Sequence, residues 1–133
     1  MLSELALALR REFARAVRYR QPIAFLLVDL PASADVLAKV RDGVRLCDSA
    51  APAPGNRVAV ILPETHLAGA LLVATRLAGA LGLSPTSESP QSVGVAAYPS
   101  PSIADADGLV RAAEKALETA RSRGGGIMTP LSR

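Results

Sequence analysis

Three short apolar runs, at 22–28, 57–62 and 92–97, alternate with stretches whose apolar residues recur every three or four positions. Such brief runs read as buried strands, whereas the three- and four-residue spacing is that of a helix with one apolar stripe. The run at 22–28 opens with Pro22 and ends at Asp29, a carboxylate at a strand's C-terminal edge. Leu2, Leu5, Leu9, Phe13, Ala16 and Val17 predict a first helix. Its Arg11, Arg15 and Arg18 repeat on another face, read either as a solvated face or as one for a membrane surface or anionic partner. Ser33 caps a second helix carrying Val36, Val40, Val44 and Cys47 inward, and Thr65 caps a third through Leu81, with Leu67, Leu71, Ala74 and Ala78 inward. The fourth starts at Asp105 or Asp107 and buries Leu109, Ala113, Ala116, Leu117 and Ala120. Segment 49–55, with Pro52, Pro54 and Gly55, reads as a loop, as does 82–90. Gly94 marks a close backbone approach or a bulge. Glycines 124–126 stop the last helix, and Ile127 and Met128 add an edge strand. Helices alternating with strands imply an α/β domain with helices packed on a central sheet; the pattern leaves parallel and mixed pairing open.

A chain of 133 residues fits one domain that buries about two-thirds of its unfolded surface. With two Phe, two Tyr and no Trp, the core must be built from Ala, Leu and Val. The same scarcity argues against DNA or RNA polymers as partners, because single-strand platforms need rings for bases to stack on. The net charge is only +3, and five of the 15 Lys and Arg residues crowd into positions 10–20. A lone cysteine, Cys47, excludes an internal disulfide and a Cys-rich zinc site, and it reads as a small core residue; a lone histidine, His66, reads as an exposed first-turn helix residue. No stretch has the length and apolarity of a transmembrane span, and no signal segment precedes the first helix, so a soluble cytoplasmic protein is expected.

Four motifs in order carry a family resemblance. Residues 18–29, RYRQPIAFLLVD, precede Arg45-Leu-Cys-Asp48 and the strand Arg57-Val-Ala-Val-Ile-Leu-Pro-Glu64; SVGVAAYP follows at 92–99, and AEKALETAR at 113–121 runs on to Gly124. Together they resemble the GGDEF (diguanylate cyclase) domain, in which R-x-x-D precedes G-G-D/E-E-F and an apolar strand ending L-P-E/D-T. The resemblance runs from about Arg15 to Met128 and implies a central mixed or antiparallel sheet flanked by helices, similar to the palm of polymerases and class III nucleotide cyclases. It also sets the expected divisions: a lead helix at 1–21, a degenerate GGDEF domain at 22–128, and a tail at 129–133.

The departures from that pattern bear on chemistry. Active relatives follow the first strand with a stretch that holds guanine, ribose and phosphates; here the chain runs from Asp29 through Leu30, Pro31 and Ala32 into the next helix, so the fold is expected to be truncated there. Pro54, Gly55, Asn56, Arg57 and Val58 occupy the signature positions. Two-metal phosphoryl transfer needs carboxylates that gather divalent ions. Asn56 brings no charge, and Arg57 brings a cation, an error worth roughly 4 kcal/mol at about 4 Å and an effective dielectric near 20. Asp29 reads as a vestigial metal ligand, left without metal, or as a strand-end cap. Among the family's phosphate-contacting cations only Arg121 remains. Neither cyclase activity nor a cofactor is expected.

What the resemblance retains is its inhibitory-site motif. Arg45 and Asp48 are three apart at a predicted helix end, and Asp48 precedes Pro54 by six positions, the family spacing. Arg76 matches a second family arginine, and Arg41, one turn before Arg45, is a further phosphate candidate. A carboxylate accepts both N–H groups of guanine's Watson–Crick edge, and an arginine fork meets O6 and N7 or a phosphate. The bland alternative is a surface ion pair worth a few tenths of a kcal/mol. The resemblance therefore implies a non-enzymatic receptor for cyclic di-GMP. Three of these side chains should converge on one outward patch, with ligand modulating a homodimer or a protein partner. The competing expectation is a nucleotide-independent interaction scaffold on the same fold.

Overall fold

The structure, a computed structural model, describes residues 4–82 and 92–129. Leu2, nearly all of the predicted loop at 82–90 and the tail beyond residue 129 lie outside the described residues. The elements run α1 (Glu4–Tyr19), β1 (Ile23–Val28), α2 (Ala34–Asp42), β2 (Ser49–Ala53), β3 (Arg57–Pro63), α3 (Leu67–Ala80), β4 (Ser92–Tyr98), α4 (Ala106–Ser122) and β5 (Gly126–Met128). They build one five-stranded sheet in the order β2-β3-β1-β4-β5. β1 pairs antiparallel with β3 and β4, β2 pairs antiparallel with β3, and β5 joins β4 in parallel. The sheet is therefore mixed.

Because strand side chains alternate between faces, β1 serves two cores at once. Ile23, Phe25 and Leu27 pack beneath α1 and α4 with Leu9, Phe13, Leu109 and Leu117. Ala24, Leu26 and Val28 pack on the other face against Val40 of α2 and Ala70, Ala74 and Leu77 of α3. All six β1 residues are buried, which is why 22–28 is a continuous apolar run rather than an alternating one. α1 belongs to the first of these cores through Leu9, Phe13 and Ala16, whereas Val17, expected inward, is exposed.

Gly94 fixes how closely α4 approaches the sheet. A Cβ there would collide with the Ala113 carbonyl and stand 2.7 Å from the Leu117 amide nitrogen. The register Leu27↔Gly94 is unbroken, so the glycine marks backbone contact and not a bulge. At the end of α4, Gly124, Gly125 and Gly126 all have φ between 89° and 109°, a region that stops a helix and suits glycine alone.

Four local expectations are corrected. Segment 49–55 is not a loop: β2 occupies Ser49–Ala53, and its Pro52 is tolerated because β2 is an edge strand. The hairpin to β3 turns at Gly55 and Asn56, both with positive φ. α2 stops at Asp42, where the Gly43 N–H closes onto the Val40 and Arg41 carbonyls, so Arg45 and Asp48 lie in a turn beyond the helix. Consequently Cys47 is exposed and not a core residue. Thr65 does not cap α3: His66 holds the N-cap position without a side-chain bond, and Leu67 is exposed while Leu77 takes up the burial.

Candidate ligand site at the Arg45 turn

The turn between α2 and β2 is closed by its own backbone and by one carboxylate. The Asp48 N–H donates to the Arg45 carbonyl at 3.0 Å. In return, Asp48 Oδ2 accepts from the Arg45 backbone N–H at 2.9 Å and from its Nε at 3.3 Å, while Oδ1 accepts from Nη2 at 3.1 Å. The Cys47 thiol leans on the same Oδ1 at 3.7 Å. The guanidinium is tied further. Nη2 donates to the Pro63 carbonyl at 3.0 Å and to Thr65 Oγ1 at 2.7 Å, and Thr65 in turn donates to Pro63 O at 2.9 Å. Thus the last residue of β3 and the residue before the α3 N-cap orient an arginine from a different loop.

This network splits the pair unequally. The Asp48 side chain is 1 % exposed and its lone pairs are largely committed, whereas the Arg45 side chain is 56 % exposed. Arg45 Nη1 makes no hydrogen bond to any described residue. The hydrogen bond to Asp48 raises the Arg45 pKa above its ordinary value, and partial burial opposes this. Folding thus favours the charged form, a contribution lost only as pH rises through the folded value, far above neutrality. The arginine is a permanent cation.

The other proposed ligand residues stand apart. Arg41 Nη2 donates to the Ala50 carbonyl at 3.1 Å, so this side chain ties α2 to β2. Arg76 is exposed in the third turn of α3, without a hydrogen bond or ion pair to any described residue. Nine residues at 1.5 Å rise place it about 14 Å along the helix axis from Leu67, the end that Arg45 touches. Arg45 and Asp48 are brought together; Arg76 is not joined to them within one chain. Thr65 and Pro63 were missed as supports for Arg45. The signal was present in the L-P-E/D-T motif, whose threonine Thr65 matches.

At the opposite end of β1, Asp29 lies between two guanidinium groups. Arg121 Nε is 3.5 Å from Oδ2, and Arg57 Nε is 4.0 Å from Oδ1. The Asp29 N–H donates to the Ser92 carbonyl at 2.9 Å, which fixes the strand end. The four other signature residues, Pro54, Gly55, Asn56 and Val58, surround Arg57 in the hairpin, with only Val58 buried. Among the described residues no cluster of three His, Cys, Asp or Glu side chains is placed to hold a metal ion. A divalent ion needs several oxygen ligands, and one carboxylate flanked by two cations does not fit it.

No protein-family model and no curated protein matches the sequence. Solved structures do match. The active GGEEF domain of a diguanylate cyclase from Vibrio cholerae superposes with a TM-score of 0.80 at 19 % identity, over 98 % of this chain and 96 % of that one. The GGDEF domain of YfiN (TpbB) from Pseudomonas aeruginosa gives 0.78 at 22 % identity, over 96 % and 87 %. The GGDEF domain of DgcB from Caulobacter crescentus, solved in complex with c-di-GMP, gives 0.73 at 19 % identity, over 96 % and 89 %. The fold is that of the GGDEF diguanylate cyclase domain. In this chain β1 runs between the two arginine–aspartate clusters described above. Among the described residues no helix is long and apolar enough to cross a membrane.

Proposed function

We propose that this chain uses the GGDEF fold as a receptor for cyclic di-GMP and carries out no cyclase chemistry. The observation that carries the reading is the Arg45–Asp48 pair: a surface guanidinium whose Nη1 bonds to no described residue, braced by a carboxylate of the residue type that reads guanine. DgcB, solved with c-di-GMP, shares the fold and lends support. Its ligand would first meet Nη1. Access to the Asp48 oxygens requires the Nε–Nη2 fork to swing off them, which costs about 1 kcal/mol per hydrogen bond released. New bonds to guanine or phosphate offset that cost. Arg76, distant from the pair in its own chain, reaches the ligand when a stacked pair of dinucleotides bridges two copies. Arg41 joins only by releasing Ala50. Loss of catalysis is supported by Asn56 and Arg57 in the signature and by Asp29, engaged by two cations where metal ligation would need it free. The protein therefore acts through association, with itself or a partner, and its setting is the cytoplasm.

Isothermal titration of the chain with cyclic di-GMP should give saturable heat, abolished by Arg45→Ala. An absent signal, or equal binding by the variant, rules the reading out. A second reading, a nucleotide-independent scaffold, draws on two fully or largely exposed leucines, Leu46 at the tip of the turn and Leu72 on α3. Dimers seen by light scattering without ligand would favour it.

A further inference from the structure

We propose that the space between α1, α4 and the β2–β3 hairpin is a binding site for a small organic anion with an apolar body, such as a medium-chain monocarboxylate. A cavity of about 310 Å³ opens there. Its walls include Leu5, Leu9, Phe25, Leu27, Pro54 and Val110, and Leu9, Phe25 and Leu27 are buried core residues. Cavities of this character hold ligands by apolar contact and take orientation from a few polar groups. Two guanidinium side chains, Arg57 and Arg111, line it, together with Asp107 and Glu114. Asp107 is already engaged by Arg10 at 3.8 Å.

Arg57 supplies the second, independent observation. Its side chain is only 18 % exposed, and its Nε is buried with no hydrogen-bond partner among the described residues. The nearest carboxylate, Asp29, is 4.0 Å away, beyond hydrogen-bonding distance, and is shared with Arg121 at 3.5 Å. A buried donor left unmet is unfavourable and rare in native structures, and it is commonly resolved by a water, an ion or a ligand. A planar guanidinium pairs best with a planar carboxylate. Of the charged residues that line the cavity, Arg57 and Arg111 balance Asp107 and Glu114, and Asp107 is already drawn to Arg10, so the buried Arg57 Nε is the donor left for an anion to meet. The cavity is small, so the anion must be compact, and its non-polar walls require an aliphatic or aromatic body rather than a sugar. This site does not depend on the Arg45 turn, which lies at the other end of β1.

The test is a titration of the full chain with octanoate, followed by ¹H–¹⁵N NMR, with 1-octanol as the uncharged control. Octanoate is expected to give saturable millimolar binding, shifting the amides of Leu9, Phe25, Leu27 and Ala53 and the Arg57 Nε–H resonance. Octanol should bind detectably more weakly and leave the Nε–H signal unmoved. Arg57→Met, which keeps the apolar stem, should weaken octanoate about tenfold or more, the loss of a charge-assisted hydrogen bond. Ala53→Leu, opposite Arg57 in the β2–β3 register, fills the cavity while keeping the arginine, and it should block binding in a chain that still folds. Arg45→Ala should change nothing, which keeps this site separable from the dinucleotide reading. The proposal is overturned by equal affinity for octanol and octanoate or by unaltered binding in Arg57→Met or Ala53→Leu. It falls equally if no saturable shifts appear because Asp29 has closed onto Nε.

Discussion

The two ends of β1 each carry arginine and aspartate, and they behave as opposites. At the Ile23 end, Asp48 is sealed at 1 % exposure and holds Arg45 through hydrogen bonds of 2.9–3.3 Å, with Pro63 and Thr65 as further anchors. At the Val28 end, Asp29 is 28 % exposed and shared at 3.5 and 4.0 Å between Arg121 and Arg57, whose Nε has no hydrogen-bond partner among the described residues. The difference is local. Arg45 and Asp48 sit in one tight turn and share its backbone hydrogen bonds, so geometry is set over three residues. Asp29, Arg57 and Arg121 arrive from three separate elements. Short-range closure gives an ordered pair; long-range convergence gives loose neutralisation.

The comparison can be broken from the middle. Gly94→Ala forces a methyl into the α4 backbone where it packs on β4 beside β1, and it should destabilise the protein by about 3 kcal/mol, at the upper end for overpacking. Urea denaturation measures this, and a loss below about 1 kcal/mol would show that α4 is not locked at that contact. Next in size is the sealed end. Arg45→Ala leaves the buried Asp48 carboxylate short of donors and should cost about 1–3 kcal/mol. Were the variant as stable as the parent, the pair would be merely a surface ornament.

The open end should respond less. Asp29→Asn removes only long ion pairs, and a change of roughly 0.2–1 kcal/mol is expected, fading as salt is added. A salt-independent loss larger than that of Arg45→Ala would reverse the ranking of the two clusters. Smallest of all, Cys47→Ser should alter stability by less than about 0.5 kcal/mol, as for other exposed positions. Its thiol should react with a thiol-specific dye in the native state as fast as in urea; protection would place it back in the core.

Much of this was legible from periodicity. All three long strands and the four helices follow from runs and stripes, because burial on a sheet and burial on one helix face leave different spacings. The errors share one cause, a local pattern overruled by its surroundings. Val44 and Cys47 continue the stripe of α2, yet Gly43 ends the helix where a Cβ would press on Leu77, and the chain turns. Pro52 and Pro54 read as loop punctuation, yet an edge position lets β2 form. The Arg45–Asp48 pairing follows from a three-residue spacing even though α2 ends before it, since a tight turn brings the same residues together. The sequence marks Arg57 as a cation where a carboxylate is wanted, and the fold sets it 4.0 Å from Asp29, a contact that sequence spacing does not express. The distance between Arg76 and the pair is set by the helix it rides on, which spacing in sequence does not express.

The margins of the sheet also limit how copies can combine. β2 forms one margin, and Pro52 deprives it of a donor; the other is β5, only three residues long. Neither offers a useful template for a visiting strand. Fibrous growth by edge-to-edge β-extension is thereby discouraged, and any assembly of this chain must be built through its helical faces or its turns, where charge and small molecules can govern it.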